Sequence, residues 1–344
     1  IRKGPKGTIC FREASWDEAL DVIEITLKKL REKYGAAAIC SYMGAGTLEE
    51  SLSIFGDKFL QPFGSPNDMD CGSICNVSSR TLAPMTTFGL HGKNLVADLD
   101  NADTVVIWGT NPMNNSKHNE YKKVLRAKRR GAKLVVIDPR RHRLAKLADC
   151  WIPVRPGTDG ALALGIINLI IQKKWYDQNF VAHWVHGFEE LKDYASLFTP
   201  ELVANICRTE EAMLYQLAEL FAFGNRTAVL FYTGLEYAAS AVQNTRALYI
   251  LWAITGNVDV EGGLYIPSYP CDLPKEEILP FGNIPIGARE YSVFYALTGK
   301  AHFVEFPKAV LSGKAAAPKC WCWATSRAAP APTSAMPRAW PGAW

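Results

Sequence analysis

The 344-residue sequence has no apolar run near the ~18 uninterrupted residues of a membrane helix. The nearest is ALALGIINLII at 161–171, so direct membrane insertion is not expected. No G-x-G-x-x-G follows a strand-like run, and no G-x-x-x-x-G-K-[ST] occurs, so the ordinary dinucleotide fingerprint and the P-loop are both missing. G-x-S-x-G, H-E-x-x-H and zinc-type C-x-x-C pairs are absent as well. Neither sign of charge dominates: the net charge is +4, which gives no reason to expect a nucleic-acid partner. Residues 315–344 contain no Asp or Glu, although they hold ten Ala, five Pro and four of the ten Trp.

The body of the chain is compositionally ordinary. Hydrophobic residues at 48% and charged residues at 21% exclude disorder, collagen-like repeats and coiled coil as descriptions of the whole. The length allows two domains and excludes a small disulfide scaffold. Nine Cys at irregular spacings (10, 40, 71, 75, 150, 207, 271, 320 and 322) do not make a paired framework. An odd count in a chain this long fits a reducing compartment, or a metal or catalytic role for one thiol.

The first element announces itself locally. Ser15 and Glu18 form a capping-box pattern, Leu20, Ile23, Leu27 and Leu30 share one helical face, and Gly35 offers a stop. A short apolar run, AAAICSYM (36–43), then ends in GAGT and reads as a buried strand with a glycine turn. The same grammar recurs in TVVIW (104–108), KLVVI (133–137), CWIPV (150–154) and TAVLFY (227–232). None alternates polar with apolar, as expected of strands covered on both faces. Helical stretches at 116–130, 159–173, 210–223 and 238–255 lie between them, so the chain reads as a parallel, doubly wound α/β sheet. Ligands in such sheets bind beyond the carboxyl ends of the strands. The turns there carry Gly, Asn, Asp, Arg and Thr, a set suited to a nucleotide with phosphates.

Three clusters compete for attention. Cys71 and Cys75 sit in a polar stretch, SPNDMDCGSICNVSS, where a core thiol would be out of place. His183 and His186 lie close together beside Trp184, in what reads as a surface segment rather than a metal site. The basic run from Lys122 to Arg143 reads as a solvated helix face followed by a loop that could meet phosphate.

Taken in order, SWDEAL (15–20), GAGTLEES (44–51), DMDCGSIC (68–75), ADTVVIWGTNPMNNS (102–116), GAKLVVIDPRR (131–141), ADCWIPVRPGTDGALALG (148–165) and TGLEYAASAVQNTRALYILWAITGNVDVEGG (233–263) closely resemble the dimethyl sulfoxide reductase superfamily. The resemblance covers nearly all of residues 10–312. It implies two interleaved, doubly wound Rossmann-like lobes with mainly parallel sheets. It also implies a molybdenum or tungsten centre carried by two molybdopterin guanine dinucleotides. Cys75 matches the family's protein ligand to the metal and so would be both metal-binding and catalytic; a thiolate is a suitably soft ligand. Gly109, Asn111 and Asn115 match the pterin-dinucleotide turn, and Asp138 and Arg140 match the turn that meets guanosine. Gly157 and Asp159 match the guanine-reading turn, where a carboxylate can accept from a ring N–H and an amino group. Gly234 and Gln243 match a further cofactor-contacting segment. Turn chemistry or capping is the plain alternative for each, and for Asp159 taken alone it is an N-cap.

The resemblance also frames what is expected of the rest. Residues 1–70 with 265–312 would form one lobe, truncated here, and residues 71–264 the other, joined through a Pro-rich crossing loop at 266–285. The family's iron–sulfur domain, with its [4Fe-4S] cluster, is expected to precede this sequence. The 313–344 tail, Cys320 and Cys322 included, reads as a coding sequence translated in the wrong frame, leaving the fragment inactive alone. A small-molecule substrate and an iron–sulfur electron-transfer subunit are the implied partners, in anaerobic respiration. The compartment stays open between cytoplasm and periplasm. Asn76 stands where formate dehydrogenases usually carry His, so the reading favours chemistry on polysulfide, thiosulfate, tetrathionate or arsenic oxyanions. An acetylene-hydratase-like non-redox reaction, formate oxidation and a cofactor-free remnant remain as alternatives.

Overall fold

The computed structural model describes residues 1–5, 9–43, 59–60, 62–115, 118–267 and 284–312. The GAGT turn, most of the crossing loop and the acid-free tail lie outside the described residues. Contacts divide the chain into two compact units. One takes in the described parts of 1–70 with 284–286 and 304–312, the other those of 71–267 with 287–303.

In the first unit the helix Trp16–Tyr34 starts where Ser15 Oγ accepts from the Glu18 amide at 3.1 Å. The other half of the expected capping box is replaced: the Glu18 carboxylate is held by Arg12. The expected strand over 36–43 is shorter, because Ala36–Ala38 form a 3₁₀ turn and only Ser41–Met43 (β1) extend. Strand β1 pairs in parallel with Asp68–Asp70 (β2). Asn67 ties the pieces of this unit together, donating to Ala37 O at 2.7 Å and accepting from the Ile286 amide at 3.1 Å.

The second unit is built on four parallel strands, Thr104–Trp108 (β4), Lys133–Ile137 (β5), Cys150–Ile152 (β6) and Thr227–Phe231 (β7). Their order across the sheet is β6-β5-β4-β7. A two-residue antiparallel pair, Val96–Ala97 (β3) with Leu264–Tyr265 (β8), was not legible as strand in the sequence. Period-two alternation sends the two halves of each strand into different cores. Val106, Trp108, Val135, Ile137 and Val229 pack with helices Asp159–Gln172, Pro200–Cys207, Glu211–Phe223 and Ala241–Ile254. Val105, Ile107, Leu134, Val136, Ala228 and Leu230 pack with Val124 and Ala127 of the helix His118–Arg130. Both faces are therefore apolar, which is why no alternation is visible along the strands.

Residues 287–303, expected with the first lobe, group with the second unit instead. The helix Ser292–Thr298 packs against the π-helical turn Val77–Leu82, and Tyr291 stacks flat on His302 with ring centres 3.7 Å apart. Helices Gln178–Trp184 and Phe188–Ala195 fill the connection between the Asp159–Gln172 helix and the Pro200–Cys207 helix. Among the described residues no helix is long and apolar enough to cross a membrane.

Candidate cofactor site

The chain leaves β4 and adds β5 and β6 on one side, then returns to add β7 on the other, so the strand order reverses between β4 and β7. That is where an open α/β sheet leaves a crevice at its carboxyl edge. A cavity of about 240 Å³ lies there, lined by Gly109 and Asn111 after β4, Asp138 and Arg140 after β5, Asp159 beyond β6, and Gly234 after β7. Six residues singled out from the sequence thus meet in one place. Sites for whole small molecules usually span ~300–1,000 Å³, so this cleft would enclose part of such a ligand rather than all of it.

Close backbone approach shapes its floor. The Gly234 amide donates to Gly109 O at 2.8 Å, and a Cβ added at Gly234 would lie 2.5 Å from Gly109 Cα. Gly109 itself has φ +59°. Glycine is needed at both positions, at one for contact and at the other for conformation as well. Asn111 Oδ1 is buried with no hydrogen-bond partner in the protein, an acceptor left for a ligand donor.

Two carboxylates face the same cleft, differently held. Asp159 is not the N-cap of its helix; Thr158 takes that position, and the Asp159 carboxylate accepts from Trp108 Nε1 at 2.8 Å. Burial pushes its pKa up, with the indole N–H opposing. Asp138 accepts from the Arg140 amide at 2.8 Å through Oδ1, and its backbone carbonyl accepts from Trp151 Nε1 at 2.9 Å. The Arg140 side chain stays largely in solvent, 3.9 Å from Asp138, free to swing toward an anion. Arg141 lies over the Trp151 ring instead, and Lys123, Arg126 and Lys128 pair with Asp100 and Asp149 on the outer surface. Only Arg140 of the basic run lines the cleft.

Other expected residues do not line it themselves. Gly157, with φ +83°, makes the turn that leads into the Asp159 helix. Asn115 contacts Thr110 Oγ1 at 3.5 Å, and Gln243 accepts from Arg246 at 3.3 Å. Cys75 lies elsewhere in the second unit, half-buried at the end of a 3₁₀ turn, its amide bonded to Cys71 O at 2.7 Å. Its Sγ sits 3.4 Å from the Tyr237 hydroxyl. The hydrogen bond and charge coupling to Cys75 push the Tyr237 pKa up to about 12.

Beside that pair, Ser79 of the π-helical turn donates to the buried Glu236 carboxylate, and Tyr249 donates to Ser79 O at 3.3 Å. The short helix Thr233–Glu236 thus braces the segment that follows Cys75. A π-helical turn in this position fits the tendency of such turns to occur at functional sites. Sequence reasoning missed Tyr237, 162 residues from Cys75, and Thr110 and Thr233, which also line the cleft. The two threonines adjoin residues that were read, whereas nothing in the spacing could have paired Tyr237 with Cys75. Among the described residues no group of three or more His, Cys, Asp or Glu is gathered for a metal ion; His183 bonds Asn179 O.

Comparison with known proteins meets the same pattern. Residues 6–303 match the family model described as molybdopterin oxidoreductase. Acetylene hydratase of Syntrophotalea acetylenica is 32% identical over 282 residues, covering 81% of this chain and 37% of that protein. The F420-dependent formate dehydrogenase subunit alpha of Methanocaldococcus jannaschii is 31% identical over 258 residues, 73% of this chain and 37% of the relative. The solved structure of acetylene hydratase from Pelobacter acetylenicus superposes with a TM-score of 0.73 at 29% identity, covering 84% of this chain and 40% of that one. The chain therefore spans less than half the length of the relatives it matches.

Proposed function

Because the chain belongs to the molybdopterin oxidoreductase family, we propose that it is part of a catalytic subunit whose strand-end cleft holds the guanosine end of a molybdopterin guanine dinucleotide. The observation that carries this reading is the buried, unpartnered Asn111 Oδ1 in a cleft that also gathers two carboxylates and Arg140. The donor set fits the group. Asp138 and Asp159 supply acceptors for hydroxyl or ring N–H groups and Arg140 a cation for phosphate, while the Gly109–Gly234 contact joins the turns after β4 and β7 that carry the cleft.

Cys75 is the proposed protein ligand to molybdenum or tungsten, through a thiolate steadied by the Tyr237 hydroxyl. When bound, the metal–pterin group supplies a centre for two-electron or oxygen-atom transfer. The chain's own share is to orient that group: the cleft anchors the nucleotide, and the bracing of 77–82 by Glu236 fixes the segment that follows Cys75. An iron–sulfur electron-transfer subunit, a second dinucleotide and a [4Fe-4S] cluster belong to the same proposal. The M. jannaschii relative is itself named as a subunit.

For the reaction, Asn76 offers no base beside Cys75, so two-electron or oxygen-atom transfer with polysulfide, thiosulfate, tetrathionate or an arsenic oxyanion is the first reading. A non-redox hydration is the second, favoured by the similarity to acetylene hydratase in both sequence and structure. The test is to purify the chain from a host that makes the dinucleotide, then measure metal, released guanine nucleotide, viologen-linked reduction of thiosulfate, tetrathionate or arsenate, and acetaldehyde formed from acetylene. Loss of one metal–sulfur ligand by X-ray absorption in Cys75→Ala, with guanine nucleotide retained, supports the two assignments. An unchanged metal–sulfur ligand count in that variant overturns the role of Cys75.

A further inference from the structure

Asp138 is one of the most tightly arranged side chains in the cleft. Only 6% of its surface is exposed, its amide donates to Ile152 O at 3.2 Å, and its Oδ1 accepts from the Arg140 amide. Its second oxygen, Oδ2, is faced by His142 Nε2 at 3.6 Å, just outside hydrogen-bond length. Nε2 is buried and has no nearer partner.

The other side of the same ring is committed. His142 is the N-cap of the helix Arg143–Leu147, where Nδ1 accepts from the Ala145 amide at 3.4 Å. An acceptor at Nδ1 requires the neutral tautomer with its proton on Nε2, so the N–H points at Asp138. Histidine is an unusual cap. Ser, Thr, Asp or Asn would satisfy the Ala145 amide as well, but would be too short to present a donor on the far side. Burial lowers the His142 pKa, with Asp138 opposing and Arg140 adding to the effect, which favours the neutral ring this geometry needs.

We propose that His142 is a positioning residue that holds the Asp138 carboxylate in its ligand-accepting orientation, its Nε2–H closing onto Oδ2 when a guanosine nucleotide enters the cleft. Hydrogen bonds within a binding site commonly tighten around the ligand they orient. A carboxylate fixed through both oxygens loses less rotamer freedom on binding, as with the outer partners that orient metal ligands. The inference rests on the reading of the cleft as the guanosine end of the dinucleotide site.

The experiment uses the full chain and guanosine 5′-diphosphate as the probe, with calorimetry and thermal unfolding on His142→Asn and His142→Ala. Asparagine keeps the cap and cannot reach Asp138. The expected result for His142→Asn is an unchanged melting point with binding weakened about fivefold. His142→Ala should lose binding to the same degree and melt earlier. A long-range ¹H–¹⁵N spectrum of the unaltered protein should find the Nε2–H tautomer, with Nε2 shifting on addition of the nucleotide. Binding by His142→Asn within about twofold of the parent overturns the inference and leaves the cleft assignment standing. An Nδ1–H tautomer overturns it too. No binding by the parent chain overturns the cleft assignment, and the inference with it.

Discussion

Two helices, one mixed in sequence and one almost wholly apolar, come to opposite ends. The Asp159–Gln172 helix buries 11 of its 14 residues, whereas the 19-residue Trp16–Tyr34 helix buries none. The second is rich in local signals: a Ser15 cap, the Arg12–Glu18 pair, a Glu24–Lys28 pair one turn apart, and basic residues in the last turn. The first has little of this, since Thr158 makes no side-chain cap bond and the sequence is apolar all round. Local signals each contribute only tenths of a kcal/mol to about 1 kcal/mol, while a buried helix draws its stability from packing. One helix is specified by its ends, the other by its neighbours.

That contrast can be broken most sharply at two tryptophans. Trp108 is fully buried at the end of β4 and Trp16 is 85% exposed. Trp108→Ala should cost about 3–5 kcal/mol in urea unfolding, with a further loss because Asp159 is left without its indole donor, whereas Trp16→Ala should stay within about 0.5 kcal/mol. Equal effects would mean that the first helix is packed as firmly as the second unit's core.

Next in size is Gly234→Val. The added carbons meet the Gly109 backbone, not a flexible side chain, so a cost of about 1–3 kcal/mol is expected, together with loss of detectable guanosine diphosphate binding. Calorimetry showing undiminished affinity would remove the close Gly109–Gly234 approach from the account of the cleft.

Smaller still is Ser15→Ala. Loss of the cap should weaken the first helix by about 1 kcal/mol, read as faster amide exchange confined to its first turn.

The smallest effect is a pH dependence. Burial alone would raise the Asp149 carboxyl, but the Leu134 amide and Lys128 outweigh it and hold the pKa below the usual range. A depressed folded-state pKa gives stability that is present above the unfolded value, about 3.9, and lost as pH falls through the folded one. Asp149→Asn should therefore flatten the acid side of the urea-midpoint profile below about pH 4. Glu18 is lowered as well, by its hydrogen bond to Arg12, but that partner is a surface side chain whereas Asp149 also accepts from the Leu134 backbone amide, so Glu18→Gln should change that profile less. A larger change from Glu18 than from Asp149 would invert the comparison.

Much of the second unit was readable because its strands are short, apolar and followed by turn residues. TVVIW and KLVVI keep their expected bounds, and Gly109, Asn111, Asp138, Arg140, Asp159 and Gly234 converge because each follows a strand of one parallel sheet. Less readable were the features that depend on distant partners. Nothing in 36–43 reveals that Ala36–Ala38 curl into a 3₁₀ turn, and nothing in 287–303 announces its packing against 77–82. The three short helices between 178 and 207 have clear caps at Asp177 and Thr199, a signal that was present and not used.

The amino-acid order by itself determined the alternation of strands and helices, the chemistry of the turns and the family. These depend on residues close in the chain, whose propensities and hydrogen-bonding groups act over a few positions. Only the tertiary structure decided that Tyr237 would meet Cys75, that Glu236 would brace the turn after it, and that His142 would serve Ala145 with one nitrogen and face Asp138 with the other. The first two join side chains more than 150 residues apart, and the third turns on which way one buried ring points. Such geometry is set by packing against the whole core, which no local pattern encodes.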